Sequence, residues 1–142
     1  MRLPCRLLNA AFALLIGLHV GAAQSRNVTL PTVADAKVPL YPPLARAARI
    51  QGVVQVKITT DGHRVVSAAA ESGPKILATA AEDSARSWQF ATHEPTSFMV
   101  TFTYKLVHSL KSGPENPTVV LRLPTEVEVS MQYMPALDSG AR

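Results

Sequence analysis

The chain has 142 residues, enough for one domain, and its 14 Lys and Arg against 10 Asp and Glu give a formal net charge of +4. It contains no run of basic residues, and its few aromatic residues alternate along predicted strands, so the pattern of a nucleic-acid-binding protein is missing. The single cysteine, Cys5, excludes an internal disulfide framework, and its place before the first apolar run differs from that of a lipoprotein cysteine.

The first 23 residues have the order of a secretory signal peptide. Basic residues come first, the apolar run Leu7–Val20 follows, and Gly21–Ala23 supplies small residues for cleavage. An uncleaved membrane anchor is the alternative, because these apolar and small residues together reach the lower limit of a spanning helix, roughly 17 residues. We expect residues 1–23 to be a signal peptide or short anchor, followed by a polar linker at residues 24–39.

A short helix and a strand hairpin are predicted first in the folded part. Proline is favourable in the first turn of a helix, so we expect a helix that starts at Pro42 and ends before Gly52. The next run, Val53–Thr60, alternates apolar and polar residues as a half-buried strand does. Asp61-Gly62 then predicts a tight type I′ turn into a second strand at Val65–Ala70.

A longer helix and a third strand complete the predicted domain. Ser72-Gly73-Pro74 ends the second strand and starts the helix, whose apolar residues recur on one face up to Trp88. The strand Phe98–Leu106 follows a loop at Ala91–Ser97 and alternates strictly. We expect the core to contain the inward-facing residues Val54, Val56, Ile58, Leu77, Ala81, Trp88, Phe90, Val100 and Phe102.

The tail also has the alternating pattern of strands. From Val119 to Tyr133, every second residue except Thr125 is apolar. This pattern predicts either one long strand with a buried face or two strands that meet near Pro124, because proline cannot donate to a sheet ladder. We therefore expect one or two additional strands within residues 118–133.

No group of residues has the spacing of a catalytic or metal site. His63, His93 and His108 fall in or beside different loops, and no two of them share a spacing suited to a metal ion. No serine has the context of a nucleophile elbow, and the isolated glycines do not form a phosphate-binding loop. The sequence therefore predicts no metal site, no cofactor and no enzymatic activity.

The order of these elements resembles the C-terminal domain of TonB-type energy transducers of Gram-negative bacteria. The shared features are Tyr41-Pro42 before a short helix rich in Ala and Arg, Gly52 before the first strand, Asp61-Gly62 in a hairpin, and Trp88-Gln89-Phe90 after the second helix. The resemblance covers about half of the chain, from Tyr41 to Leu106. It implies an α+β domain at residues 40–107, with a small antiparallel sheet of about three strands packed by two helices. Residues 108–142 would then be a C-terminal extension.

The resemblance also implies recognition of a partner through the backbone. TonB-type domains capture a short N-terminal segment of outer-membrane receptors as an added strand, and in their arrangement the strand Phe98–Leu106 lies at a sheet edge. The expected partner is an outer-membrane receptor or another protein of the periplasm. We expect the contact residues to be Met99, Thr101, Thr103, Lys105, Tyr41 and Pro42. Val38-Pro39-Leu40 stands where well-studied members have Gln-Pro-Gln, so that polar receptor contact is not expected here.

The sequence leaves alternatives to a periplasmic peptide-binding protein. An uncleaved N-terminal segment would make the chain a single-pass inner-membrane transducer working with a proton-motive-force complex. Residues 24–39 extend at most about 50–60 Å, however, which is too short to cross a periplasm. A self-associating module would instead pair an exposed strand with its own copy in a homodimer. In a further alternative, the chain's own tail covers the edge formed by Phe98–Leu106. We expect that edge to be open or only partly covered.

Overall fold

The computed structural model describes residues 29–108 and 117–133. In chain order, the elements are β1 (Val33–Asp35), α1 (Pro43–Ala47), β2 (Gly52–Thr60), β3 (Val65–Ser72), α2 (Lys75–Arg86), β4 (Gln89–Phe90), β5 (Thr96–His108), β6 (Thr118–Arg122) and β7 (Glu126–Tyr133). The predicted signal peptide or anchor, residues 1–23, lies outside the described residues, as do the first residues of the predicted linker. Within the described ranges, no helix has the length and apolar character needed to span a membrane.

Five strands form the main sheet, in the order β3-β2-β5-β7-β6. The pairs β2·β3, β2·β5 and β6·β7 are antiparallel, and the pair β5·β7 is parallel. The predicted α+β class with two helices is confirmed. About three antiparallel strands were expected, with one or two additional strands in the tail, and the structure combines them in one mixed sheet of five strands. The difference arises because both strands of the tail join this sheet, and β7 lies between β5 and β6.

The tail folds as a hairpin. β6 ends at Arg122 and β7 begins at Glu126, and the Thr125 N–H donates a hydrogen bond of 3.3 Å to the Arg122 carbonyl. Of the two predicted arrangements, the one observed is a pair of strands that meet near Pro124. Because Pro124 lies in the turn, its missing N–H removes no hydrogen bond from the ladder.

A second sheet consists of two very short strands, β1 and β4. Val33 lies opposite Phe90, and the Ala91 N–H donates a hydrogen bond of 2.9 Å to the Thr32 carbonyl. β1 falls within the segment predicted as a linker. Strands of three and two residues are too short for alternation to appear in a sequence, which is why neither was predicted.

The core lies on the face of the main sheet against which the helices pack. Even-numbered residues of β2 and β5 are buried from Val54 to Thr60 and from Phe98 to Tyr104, as expected for the alternation of a half-buried strand. Each of the nine residues predicted for the core is at most 4 % exposed, namely Val54, Val56, Ile58, Leu77, Ala81, Trp88, Phe90, Val100 and Phe102. We call the opposite face of the sheet, which carries the odd-numbered residues of β5, the open face.

The turn between β2 and β3 is wider than predicted. A type I′ turn needs positive φ at both central residues, but of Asp61 and Gly62 only the glycine has one, at 107°. Four residues connect the strands, and Asp61 Oδ1 accepts hydrogen bonds from the amides of Arg64 (2.8 Å) and His63 (2.9 Å). These two bonds hold the pKa of the Asp61 carboxyl below its ordinary value of 3.8.

Candidate functional site

The strand predicted as an open edge lies mostly inside the sheet. β5 pairs with β2 on one side, and on the other its residues from Thr101 to His108 pair with Glu126 to Tyr133 of β7. The Thr101 N–H donates a hydrogen bond of 2.8 Å to the Thr125 carbonyl. The expectation that Thr101, Thr103 and Lys105 form an open backbone edge is therefore wrong, because the tail hairpin inserts β7 beside them.

The first five residues of β5 keep an uncovered side, and we call Thr96–Val100 the uncovered stretch. The amide of Thr101 points toward β7, and alternate residues of a strand point their N–H and C=O groups to the same side. The backbone groups of Ser97 and Met99 therefore face that side as well. The β7 ladder begins only opposite Thr101, and no other strand of the described residues pairs there. Of the predicted contact residues on β5, Met99 alone has outward backbone groups that no strand in residues 29–108 or 117–133 pairs with.

Lys105 joins two strands of the sheet. Its Nζ atom lies 2.8 Å from Glu128 Oε2 on β7. The hydrogen bond from Lys105 is the main cause of the lowered pKa of the Glu128 carboxyl. Both side chains remain partly exposed, so the ion pair is screened by solvent and adds little to stability.

Tyr41 belongs to the core, which corrects its prediction as a partner contact. Its side chain is 4 % exposed, and its hydroxyl donates a hydrogen bond of 2.6 Å to the Ile50 carbonyl. Its ring meets the Tyr104 ring edge-on, with 5.5 Å between the ring centroids. Burial raises the pKa of both phenols, Tyr104 more strongly. Pro42 is half-buried and is the N-cap residue of α1, so both members of the Tyr-Pro pair act in folding.

The outer edge of β3 is capped by side chains of α2. Glu82 Oε1 accepts a hydrogen bond of 2.7 Å from the Ala70 N–H, and Arg86 Nη2 donates one of 3.3 Å to the Ala68 carbonyl. Glu82 and Arg86 also form an ion pair of 3.2 Å, one helical turn apart. An edge whose backbone groups are occupied is a poor template for another strand. No pattern in the sequence indicates this role of Glu82, because it depends on a contact between α2 and β3.

The opposite edge of the sheet, on β6, has no such cap among the described residues. The Arg122 carbonyl points toward β7, since it accepts the hydrogen bond from Thr125. By alternation, the N–H and C=O groups of Val119 and Leu121 point away from β7, toward solvent. The side chains of Val120 and Leu121 are 40 % and 38 % exposed. The alternation of the tail predicts a strand here, but it does not predict that the strand lies at an edge of the sheet.

His93 and His108, among the described residues, have structural contacts. His93 donates from Nδ1 to the Ala91 carbonyl (2.8 Å), and its Nε2 lies 2.7 Å from Thr60 Oγ1, so the ring holds its own loop against β2. His108 packs against the ring of Tyr133 instead, 5.8 Å between centroids. In residues 29–108 and 117–133, no group of three or more His, Cys, Asp or Glu side chains is arranged to hold a metal ion.

Comparison with known proteins agrees with this architecture. The family model of the Gram-negative bacterial TonB protein C-terminal matches residues 37–107, half of the chain. The matched part contains both helices and ends within β5, while β6 and β7 lie beyond it. No curated protein matches the chain. The family is a non-enzymatic transducer domain of the Gram-negative envelope that interacts with outer-membrane receptors. The chain therefore belongs to the family of Gram-negative bacterial TonB C-terminal domains.

Proposed function

We propose that this domain binds an extended segment of a partner protein as an added strand beside the uncovered stretch, Thr96–Val100. The partner is an outer-membrane receptor or another periplasmic protein of a transport system. The observation that supports this proposal is the set of outward backbone groups at Ser97 and Met99, on the last strand of the part that matches the family. An added strand gains its affinity by pairing with such groups.

The position of the uncovered stretch limits how the partner lies. β7 occupies the continuation of the same side from Thr101 onward, so the added strand ends where the turn Leu123-Pro124-Thr125 begins. The partner therefore contributes a short segment, in line with β7 rather than in its place. Ser97 and Met99 offer two N–H donors and two C=O acceptors to it.

Side chains around the uncovered stretch favour a partner with an apolar residue at its centre. Met99 lies on the open face, 39 % exposed, and its flexible thioether adapts to apolar partners of different shape. Its cross-strand neighbour on β2 is Lys57, which extends its charged end from the same face. We expect the bound segment to place an apolar side chain against Met99 and an acidic one near Lys57.

Proline substitution tests the site. Met99→Pro removes an outward N–H that is not part of the β2·β5 ladder, so the fold should remain while binding of the added strand is lost. The probe is a set of synthetic peptides from the periplasmic N-terminal segments of outer-membrane receptors, titrated by calorimetry. Leu121→Pro is the matched control, because it removes an outward N–H from the other edge strand. Circular dichroism and melting temperature report whether each variant folds.

The two variants distinguish β5 from β6 as the strand that binds the peptide. Binding that survives Leu121→Pro and disappears with Met99→Pro supports the proposal. Binding that survives Met99→Pro and disappears with Leu121→Pro would place the added strand on β6 and overturn it. If Met99→Pro does not fold, Met99→Glu is the alternative variant. Its carboxylate should repel the acidic side chain expected in the partner segment, and the backbone of β5 stays unchanged.

We also propose that the chain works in the periplasm after removal of residues 1–23. The support is the order of basic, apolar and small residues at the start of the sequence. N-terminal sequencing of the protein from the cell envelope tests this proposal. A first residue near Gln24 agrees with a cleaved signal peptide, whereas Met1 would indicate the alternative of a membrane-anchored transducer.

A further inference from the structure

We infer that the cavity beside the first residue of the uncovered stretch is a pocket for a basic side chain of the bound segment, and that Glu94 determines this specificity. The inference rests on the strand addition proposed above and extends it by one side chain. The cavity is open to solvent and has a volume of about 560 Å³. Two parts of the chain line it, residues 29–32 ahead of β1 and residues 91–96, which lead from β4 into β5.

The cavity adjoins the binding site through Thr96, which is both the first residue of β5 and part of the cavity wall. An added strand that pairs with Ser97 and Met99 passes this end of β5 when it continues by one or two residues. Glu94 is three residues from Ser97, at most about 11 Å along the chain, so a long side chain of the continuing segment reaches its carboxylate. The cavity therefore lies where the bound segment enters or leaves the sheet.

Glu94 gives the cavity a negative charge that is not neutralised within residues 29–108 or 117–133. Its side chain is exposed and has no ion-pair partner there. The only other ionisable residue of the lining is His93, whose two ring nitrogens are already engaged with the Ala91 carbonyl and the Thr60 hydroxyl. A positive charge on the bound segment is therefore the complement that the lining calls for.

The walls of the cavity suit the aliphatic part of a basic side chain. Leu30 is 42 % exposed, and the rings of Pro31 and Pro95 add further apolar lining. Lys and Arg pack their methylene stems along such surfaces while the charged end stays with polar groups. Arg fits better than Lys, because its planar guanidinium can donate two parallel hydrogen bonds to one carboxylate.

Two charges of opposite sign then flank the site. Lys57 lies opposite Met99 in the β2·β5 ladder, and Glu94 lies on the far side of Thr96. A segment with an acidic residue near Lys57 and a basic residue near Glu94 matches both charges in one register. The reversed order places like charges together at both positions, which disfavours it. The pair of charges therefore selects the register and direction of the added strand.

Peptides that differ at one residue test the pocket. The probes are synthetic extended peptides with the same apolar centre and the same acidic residue, and with Arg, Gln or Glu as one end residue. One series carries this residue at the amino end and the other at the carboxyl end. Calorimetry with the full chain measures each Kd. We expect the Arg peptide of one series to bind about fivefold more tightly than its Gln counterpart, the upper end for a partly exposed ion pair.

Four variants show whether the preference for Arg comes from the cavity. Glu94→Gln should abolish the preference, and Glu94→Arg should reverse it in favour of the Glu peptide. Glu71→Gln is the matched control, because it removes an exposed carboxylate from β3 and should leave the preference unchanged. Leu30→Arg should also abolish the preference, since its own guanidinium then occupies Glu94. Val66→Arg, at a 61 % exposed position on β3, controls for that added charge.

The outcomes separate this inference from the proposed function. The same ratio of Arg to Gln affinity in the wild type and in Glu94→Gln would overturn the pocket and leave strand addition standing. A preference that Glu71→Gln loses as well would also overturn the pocket, because it would reflect the net charge of the chain. If none of the peptides binds the wild type, including the neutral ones, the proposed function and the pocket both fail.

Discussion

Tyr41 and Ile50 flank helix α1, and a hydrogen bond of 2.6 Å from the Tyr41 hydroxyl to the Ile50 carbonyl ties the two ends of this segment together. A helix of five residues is too short to be stable by itself. The Tyr41 ring also packs edge-on against Tyr104 of β5. The Tyr41 side chain therefore joins the residues on either side of α1 through its hydroxyl, and it packs this segment against the sheet through its ring.

We predict that Tyr41 substitutions act on stability. Tyr41→Phe removes the hydroxyl and keeps the ring, so it should lower the free energy of unfolding by about 1 kcal/mol. Tyr41→Ala also removes the ring from the core and should cost about 3–5 kcal/mol. Chemical denaturation measures both values. Unchanged stability together with weaker peptide binding would contradict this prediction and indicate that Tyr41 contacts the partner.

Trp88 should be the most sensitive core position. It is 1 % exposed and packs against Phe90 and Phe102, at centroid distances of 6.5 and 6.0 Å. We expect Trp88→Ala to lower the free energy of unfolding by about 3–5 kcal/mol, a large part of the stability of a small domain. Trp88→Phe should cost less, because Trp88 Nε1 has no hydrogen-bond partner among the described residues. Val66→Ala, at an exposed apolar position, is the control and should shift the denaturation midpoint little.

The parts of the structure that sequence could predict are those determined by local periodicity. Val54, Val56 and Ile58 alternate with polar residues, and the alternation alone assigns them to the buried face. Trp88 continues the apolar periodicity of α2 just beyond the end of the helix at Arg86, so the same kind of argument assigns it to the core. The prediction that these residues are buried requires only the identity of the buried face. It does not require the order of the strands in the sheet.

The order of the strands could not be predicted in this way. Thr101 and Lys105 show the same alternation whether their neighbour is β7 or a bound peptide, because side-chain pattern does not identify the backbone partner. The burial of Tyr41 could not be predicted for a related reason. Its burial depends on contact with Tyr104, which is distant in the chain, and no local pattern contains that contact. The edge formed by β6 became visible only with the strand order.

The Asp61 carboxylate should make stability depend on pH. Its pKa is lowered by the amide hydrogen bonds from Arg64 and His63, so the folded state favours the ionised form. This contribution is present at neutral pH and is lost as the pH falls through the ordinary value of 3.8 toward the lower folded value. In Asp61→Asn, the loss of stability on acidification should be smaller than in the wild type. Thermal unfolding at a series of pH values measures the difference, with Glu94→Gln as an exposed control; equal acid sensitivity of wild type and Asp61→Asn would contradict it.

The α2 cap should protect the β3 edge from association. Replacing both Glu82 and Arg86 with Ala frees the Ala70 N–H and the Ala68 carbonyl, so the uncapped edge should pair with other chains. We expect the double variant to aggregate faster than the wild type at equal concentration, as followed by light scattering. Asp83→Ala is the control, because Asp83 contacts Arg86 but neither backbone group. A double variant as soluble as the control would show that the cap has no protective role.

Amide hydrogen exchange of β5, with and without a receptor peptide, tests strand addition most directly. In the free chain, the amide of Met99 should exchange rapidly and that of Thr101 slowly, because only Thr101 donates to β7. When the peptide is bound, the amides of Ser97 and Met99 should become protected while Thr101 stays as it was. Protection that appears at Val119 and Leu121 instead, with Met99 still exchanging rapidly in the bound state, would contradict strand addition at the uncovered stretch.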